Sequence, residues 1–473
     1  MLDKKVLSQV LEEALRRGGE FAEIYVEEKK VSNVFYEDNK IEKINSGREK
    51  GAGIRVIKDG STAYVYTNDL STESLCQAAS VASHAAGSRE GKNRPEIALN
   101  LKSIDSELQL MPDELSFADK IERVLSANNA ARNYSEEIRQ VTIALGDVHK
   151  SIQIANSDGE MIEDEKSRVR MIVSAVAAQD NVVQTGYESA GEIGGWELFD
   201  RVSLDDLAIK AASLAVKMLS ARPAPAGSMP VVMSSSAGGT LVHEACGHGL
   251  EADLVQKGLS VYKGKMGQMV AAPGVDVIDD ATIDSKFGAF NFDDEGTYGQ
   301  KTVLIKDGEL RQYMYDRLTA QKDQTDSTGN GRRESYQHKP IPRMTNTIIA
   351  AGREEPDDII KSTPRGLLVK KMGGGQVNTT TGDFVFDVQE AYVIEAGEIK
   401  YPVRGATLTG NGPEVLMNID RIGKDLGFGI GTCGKDGQGV PVSDAQPTMR
   451  IKQLTIGGTM MADGPQIKRI RRK

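Results

Sequence analysis

The tightest constraint on how this chain folds lies between two histidines. Five histidines occur in 473 residues, and two of them close one short run, His243-Glu244-Ala245-Cys246-Gly247-His248. Two imidazoles with a carboxylate directly after the first form the pattern of a hydrolytic zinc site, in which the rings hold the ion and the carboxylate works on its water. The familiar version, H-E-x-x-H, places both rings one helical turn apart on one face. Here the histidines are five apart, which on a regular helix separates them by roughly 140°. They converge only if the helix widens locally to an i→i+5 turn or breaks at Gly247.

Two ligands do not make a catalytic centre; a third is needed, with a fourth position open. Glu251, three residues after His248, shares its helical face, whereas Asp253 is less well phased. Cys246 lies three residues after His243, but beside Ala245 it reads first as helix packing. Cys76, in an Ala-rich helix, reads as a small buried hydrophobe. Cys433 sits in a glycine-rich stretch that offers a thiol little apolar packing, and Lys435 nearby would favour the thiolate. On the residues alone, Cys433 and Glu251 stand level as third ligand.

Periodicity predicts an α+β protein. Apolar residues recur at helical spacing over 3–16, 71–86 and 204–218, and Ser116 with Asp119 opens another helix as a capping box. Short strands are expected at 21–27, 31–37, 52–57 and 62–66, and alternation at Val141, Ile143, Leu145 and at Val169, Met171, Val173 adds an antiparallel section. The run 222–230 carries three prolines and a glycine and reads as a linker, because that mixture continues neither helix nor strand. The domains are therefore set at 1–220, with a mainly antiparallel sheet, and 231–473, joined by 221–230. The second half, with hairpins turning at Asp307-Gly308 and Ala396-Gly397 and strands at 384–386 and 449–454, is expected to close into an antiparallel barrel or sandwich carrying the metal-binding helix.

Composition narrows the function classes. With a net charge of −10 and no basic stripe, nucleic acid is not an expected partner, and the basic run 468–473 reads as a solvated tail. No apolar run is long enough to span a bilayer, and no signal peptide is evident. Three cysteines make no disulfide framework, as expected of a reducing cytoplasm. The glycine segments 329–331 and 373–375 lack the lysine of a phosphate loop; they suit close approach of a substrate backbone to a sheet edge. Tyr336 and His338 are candidate oxyanion donors, though a polar turn is the plainer reading, and Arg332 and Arg333 could hold a peptide carboxylate or a structural acid.

The histidine run, extended to Asp253, and the segment Gly431 to Val442 resemble the two signature regions of the TldD/PmbA family, in its metal-bearing TldD-like branch. Segments 291–296, 328–335, 342–346 and 373–376 resemble that family in the same order; the N-terminal half resembles it more loosely, best at 47–53. The resemblance implies one zinc per active subunit on His243, His248 and Cys433, with Glu244 as general base. It implies a peptidase acting on unfolded or small peptides, in peptide maturation or degradation. It also implies a dimer, either with a second copy or with a metal-less paralogue. Cys246 departs from the family pattern, where an aliphatic residue is expected, so a second thiol near the metal is an expectation too. The alternative from another class is a non-catalytic peptide-binding or assembly subunit with a structural zinc; an intact Glu244 speaks against it. A cysteine enzyme built on Cys246 lacks a convincing base.

Overall fold

The computed structural model describes residues 1–87, 97–103 and 115–458; the basic run 468–473 lies outside them. Helix α1 (Lys4–Leu15) starts where Asp3 caps the Lys5 N–H and buries Leu7, Val10, Leu11 and Ala14 completely. The chain then turns into β1 (Phe21–Glu37), β2 (Lys40–Lys58) and β3 (Ser61–Thr67), followed by α2 (Thr72–Ala86), β4 (Asn100–Ser103) and α3 (Phe117–Tyr134). The capping box of Ser116 and Asp119 is formed at the start of α3. Next come β5 (Ile138–Asn156), β6 (Glu160–Gln179), β7 (Val182–Ile193) and α4 (Leu204–Leu219), which Ser203 caps.

The seven strands form one sheet in the order β3-β2-β1-β5-β6-β4, with β7 also on β6; the pairing is antiparallel except for β4. Val34, Leu145, Val169 and Met171 lie on one face and pack under α3 and α4. The alternation at 141–145 and 169–175 is thus explained by a sheet buried unequally on its two sides. The two short strands expected at 21–27 and 31–37 are one continuous strand. The charges at Glu28, Lys29 and Lys30 only mark where its surroundings become wetter, since Glu28 to Lys30 keep their pairing to both neighbours.

The C-terminal part is built on a barrel of five strands, Gly227–Met233, Arg365–Val377, Asp383–Glu395, Thr407–Asn411 and Met449–Gly457, closed by pairing of the second with the third. The linker expected at 221–230 is therefore corrected: Arg222–Pro223 pairs with Val403 and Arg404, and 227–233 is a barrel strand. Pro230 is accommodated because the ladder shifts register between Ile451 and Leu454, opposite it, where no N–H is needed. The expected hairpins are present, with positive φ at Asp307-Gly308 and Ala396-Gly397, as two-residue turns that match strand twist require.

Beside the barrel lies a six-stranded sheet that ends in the hairpin Gly427–Lys435 and Gln438–Gln446. Its inner strand runs parallel to Asn346–Ile349. The histidine run is wedged between barrel and sheet, and Leu241, Val242, Ala245, Cys246 and Leu250 belong to the large core cluster. Among the described residues no helix is long and apolar enough to cross a membrane.

Candidate metal centre

The five-residue spacing is met by widening. Thr240–Val242 is α-helical, His243–Gly247 is a π-turn in which the His248 N–H reaches the His243 carbonyl, and His248–Leu250 tightens to 3₁₀. One extra residue in the turn brings the rings to 5.0 Å between centroids, nearly perpendicular. Widening disturbs the carbonyl ladder, and side chains compensate. The Tyr262 hydroxyl donates to the Ala245 carbonyl at 2.8 Å, and the Cys246 thiol donates to the Val242 carbonyl at 3.4 Å. Gly247 is glycine because a Cβ there would stand 2.1 Å from the Met344 sulfur.

Cys433, on the strand Gly427–Lys435, is the third member. Donor atoms of His243, His248 and Cys433 all lie within 4.8 Å of one another. The Cys433 Sγ is 3.4 Å from His248 Nε2, while His248 Nδ1 lies 3.1 Å from a Glu251 carboxylate oxygen. The ring thus presents one nitrogen to the thiol and donates the other N–H to an acid, the usual way a protein sets a ligand's tautomer. Asp444 plays the weaker counterpart for His243, with a carboxylate oxygen 3.7 Å from Nδ1, and is itself held by the Gly239 N–H at 3.1 Å.

Of the two candidates for third ligand, Cys433 groups with the two imidazoles, whereas Glu251 takes the far side of His248. It is wholly buried between His248 and Lys435, whose Nζ is 3.1 Å away and also grips Asp253 at 2.6 Å. Lys435 therefore neutralises these carboxylates and is not the cause of thiolate formation at Cys433. Burial resists that ionisation, but hydrogen bonds and charge from His243 and His248 outweigh it and hold Cys433 down to about 5. Burial resists ionisation of Glu251 as well; Lys435, then His248, bring it down to about 2. Burial pushes Glu244 above the ordinary carboxylate range, against the pull of the two histidines.

Cys246 corrects the expectation of a second thiol at the metal. It is fully buried with its thiol on the Val242 carbonyl, outside the His-His-Cys group, and burial pushes it up to about 12. Cys76 is half-buried against the cluster under α1 and α2. Tyr336 and His338 form the polar turn: Tyr336 packs against β2 at Gly51, and His338 Nδ1 meets the Ser335 hydroxyl at 3.1 Å. Neither lines the cleft.

Around His243, Glu244, His248 and Cys433 opens a cleft of about 470 Å³, whose other walls include Gly375, Gln376, Val377 and Gly434. Of the two glycine segments, 373–375 reaches the cleft. Gly331 instead lies against Glu295, where a Cβ would come within 2.2 Å of its carboxylate. Two supports were missed by sequence reasoning. Arg343, wholly buried, donates to the carbonyls of Cys433 and Gln438 and so clamps the hairpin. Asp444 faces His243 from the neighbouring strand. The only sequence signal for Arg343 was its place in the segment 342–346.

A borderline-soft divalent ion fits this set: two imidazoles, a thiol biased to thiolate, a carboxylate behind one ring, and space on the open side. Comparison with known proteins points the same way. Models of the PmbA/TldA metallopeptidase match over residues 22–86 (domain 1), 111–219 (central domain) and 226–458 (C-terminal domain). The chain is 37% identical over 97% of both chains to a "metalloprotease TldD homolog" of Haemophilus influenzae. It is 35% identical to a "metalloprotease" of Methanothermobacter thermautotrophicus, covering 93% of this chain and 96% of the other. A "zinc metalloprotease TldD homolog" of Saccharolobus solfataricus is 29% identical over 64% of this chain and 68% of its own. Among solved structures, TldE from Thermococcus kodakarensis aligns with TM-score 0.73 at 20% identity, covering 93% and 97%. A putative modulator of DNA gyrase from Thermotoga maritima aligns with TM-score 0.77 at 21% identity, covering 92% and 96%. These two alignments speak to the fold.

Proposed function

The chain belongs to the PmbA/TldD metallopeptidase family, and from that premise we propose that it is a zinc-dependent peptidase cleaving unfolded or small peptides. The observation that carries the reading is the π-turn, which brings His243 and His248 to Cys433 while Glu244 opens into the same cleft. His243, His248 and Cys433 would hold the ion, with Glu251 fixing the His248 ring. A bound zinc would supply Lewis acidity toward the scissile carbonyl and a water molecule.

Glu244 takes the proton of the attacking water and delivers it to the amine nitrogen as the C–N bond breaks. Its raised proton affinity suits it to hold that proton between the two transfers. Thr379, Gln376 and Gly375 at the end of the barrel strand, with Gly434 across from them, leave an extended backbone room to lie in the cleft. Recognition through backbone would give broad side-chain tolerance. The proposal includes a dimer, of two copies or with a metal-less paralogue, and residence in a reducing cytoplasm, which suits three unpaired cysteines.

The test is zinc content and peptide cleavage measured together. Wild type should carry about one zinc per chain and cleave an unstructured peptide. Glu244→Gln should keep the zinc and lose cleavage, and Cys433→Ala should lose the zinc. Cleavage unchanged in Glu244→Gln would remove the enzyme assignment; zinc with no cleavage in any form would favour a binding subunit with structural zinc.

A further inference from the structure

One face of the N-terminal sheet is covered by α3 and α4; the other turns toward the C-terminal part and is basic. Lys29 of β1, Lys150 of β5, and Lys166, Arg168 and Arg170 of β6 project from it. With Phe287, Phe290, Arg332 and Pro441 opposite, they enclose a cavity of about 620 Å³. Such a gathering of cations runs against a chain whose net charge is −10.

Part of the charge is answered within the protein. Lys150 meets Glu27 at 3.1 Å and Lys166 meets Asp294 at 3.0 Å. Arg333 pairs with Glu23, and the Glu334 carboxylate accepts from the Gly439 N–H at 2.6 Å. Three guanidinium groups are different. Arg168 donates to the carbonyls of Phe287 and Ala289 at 2.8 and 2.7 Å, and Arg332 to those of Met344 and Pro441. Arg170 reaches the Thr432 hydroxyl at 3.4 Å, and its Nε is buried without a partner. None of the three has a carboxylate at ion-pair distance among the described residues. Arg332 is 3% exposed, and Arg168 and Arg332 repel one another. The carboxylates that attract them, Asp294 and Asp164 for Arg168 and Asp294 and Asp279 for Arg332, stand beyond ion-pair distance, so burying these guanidinium groups costs stability that a bound anion would offset.

The cavity adjoins the metal cleft. Thr432, next to Cys433 in sequence, lines both spaces. A peptide lying along the cleft thus passes the rim of the basic cavity, and Arg170 stands at that rim through its contact with Thr432.

We propose that this cavity binds carboxylates of the peptide whose backbone lies in the metal cleft, making peptides that carry carboxylates beyond the cleft the preferred substrates. The inference rests on the peptidase reading for what occupies the cleft. The carboxylates come from Asp or Glu side chains or from the chain terminus; guanidinium forks suit both.

Binding is measured on full-length, zinc-loaded Glu244→Gln protein, so that no turnover is required. Three labelled peptides of one length are compared by fluorescence anisotropy: one with two glutamates and an amidated terminus, its glutamine counterpart amidated, and that counterpart with a free terminus. The glutamate peptide should bind about tenfold or more tighter than the amidated glutamine peptide, the worth of a charge-assisted hydrogen bond, and added salt should erode the difference. Preference for the free terminus would identify the chain end as a source; indifference to it would assign the site to side chains.

Adding Arg170→Gln should remove most of the preference, and Arg170→Lys should keep part of it. Melting temperatures report whether these variants fold, and Lys29→Gln at the cavity wall gives a second, independent loss. Equal binding of the glutamate, free-terminus and amidated glutamine peptides, or a preference untouched by Arg170→Gln and Lys29→Gln, overturns the proposal. Wild type that binds acidic peptides through Arg170 and cleaves none would sink the peptidase reading and leave this site standing. Cleavage of acidic and neutral peptides with equal KM would do the reverse.

Discussion

Replacing Glu251 with glutamine removes one charge, and almost no volume, from behind the metal centre. The carboxylate is wholly buried, with the His248 Nδ1 and the Lys435 Nζ each 3.1 Å away and the Arg343 Nε at 4.0 Å. Its descent from an ordinary 4.5 to about 2 amounts to about 3 kcal/mol in favour of the charged form, at ~1.4 kcal/mol per decade of proton affinity. For an acid so lowered, that stability is present above the unfolded value and is lost as pH falls through the folded one, so at neutral pH it is fully in place. Breaking a buried pair by removing one partner costs about 3–5 kcal/mol in other proteins, which agrees.

A glutamine oxygen in the place of Oε2 can still accept from His248 and face Lys435, but without the charge that both cations met, and its NH₂ then faces the Arg343 Nε, another donor. The zinc-free Glu251→Gln protein should therefore lose about 3 kcal/mol in urea unfolding. It is measured without metal so that zinc affinity does not enter the stability. Zinc affinity, by competition with a chromogenic chelator, should fall about 10–100-fold, as for other carboxylates that orient a ligand histidine. Glu251→Asp keeps the charge but is one methylene shorter, so it should recover more of the stability than of the zinc affinity. Wild-type zinc affinity in Glu251→Gln would refute the claim that the charge of this acid strengthens His248 as a ligand.

Three further outcomes follow from the same geometry. Gly247→Ala drives a methyl group into the Met344 sulfur, 2.1 Å from its position, and should cost about 1–3 kcal/mol in urea unfolding; Met344→Ala in the same chain should return part of that, and strict additivity would show that the contact is not the cause. Gly434→Val points into open space, with nothing within 4 Å of its Cβ, yet it lies on the cleft wall; melting should barely move while KM for peptides rises, and unchanged kinetics would take Gly434 off the substrate path. Asp293 and Asp316 are pushed up to about 8 and about 7 by burial and by the neighbouring Glu295, so they favour folding most below the unfolded carboxylate value and cost stability as pH climbs through 7 and 8. Unfolding free energy should thus decline from pH 5 to 8.5 by up to ~1.4 kcal/mol per pH unit for each group, and Asp293→Asn should flatten the decline; an equal slope in both proteins would assign it elsewhere.

The histidine run was legible as a candidate metal motif because its donors are adjacent in sequence, and its spacing already demanded an irregular helix. Which irregularity occurs was not legible. Gly247 offers a break as readily as a widened turn, and the residue that fills the space beside it, Met344, is remote in the chain. The contest between Glu251 and Cys433 was undecidable from composition for a similar reason. Both supply a suitable atom, and only the hairpin position of Cys433 puts its sulfur on the Nε2 side of His248, while Glu251 meets Nδ1. Strand reading failed where polarity was taken for an interruption, at Glu28-Lys29-Lys30 and at Pro230, because a ladder tolerates charge on a wet stretch and proline at a bulge.

The segments 291–296 and 328–335 show what a motif can reveal without its purpose. They read as family landmarks, and Tyr336 and His338 beside them invited a catalytic role. Their side chains instead join the two halves of the protein. Arg333 reaches Glu23 of β1, Arg55 of β2 meets Glu23 and Glu295, and Lys166 of β6 meets Asp294, mostly with little or no exposure. The same loop holds the cysteine hairpin: Glu334 accepts from the Gly439 N–H, Arg332 donates to the Pro441 carbonyl, and Arg343 completes the grip at the Cys433 carbonyl. Cys433 is therefore positioned by an arginine-rich loop anchored in the N-terminal sheet as well as by its own strand. A buried arginine with carbonyl partners leaves no periodic trace in sequence, so this coupling emerges only once the strands are paired. It also implies that substitutions at Glu23 or Arg55, remote in sequence from every ligand, should loosen zinc by shifting the hairpin, whereas changes on the exposed outer half of β2 should leave it untouched.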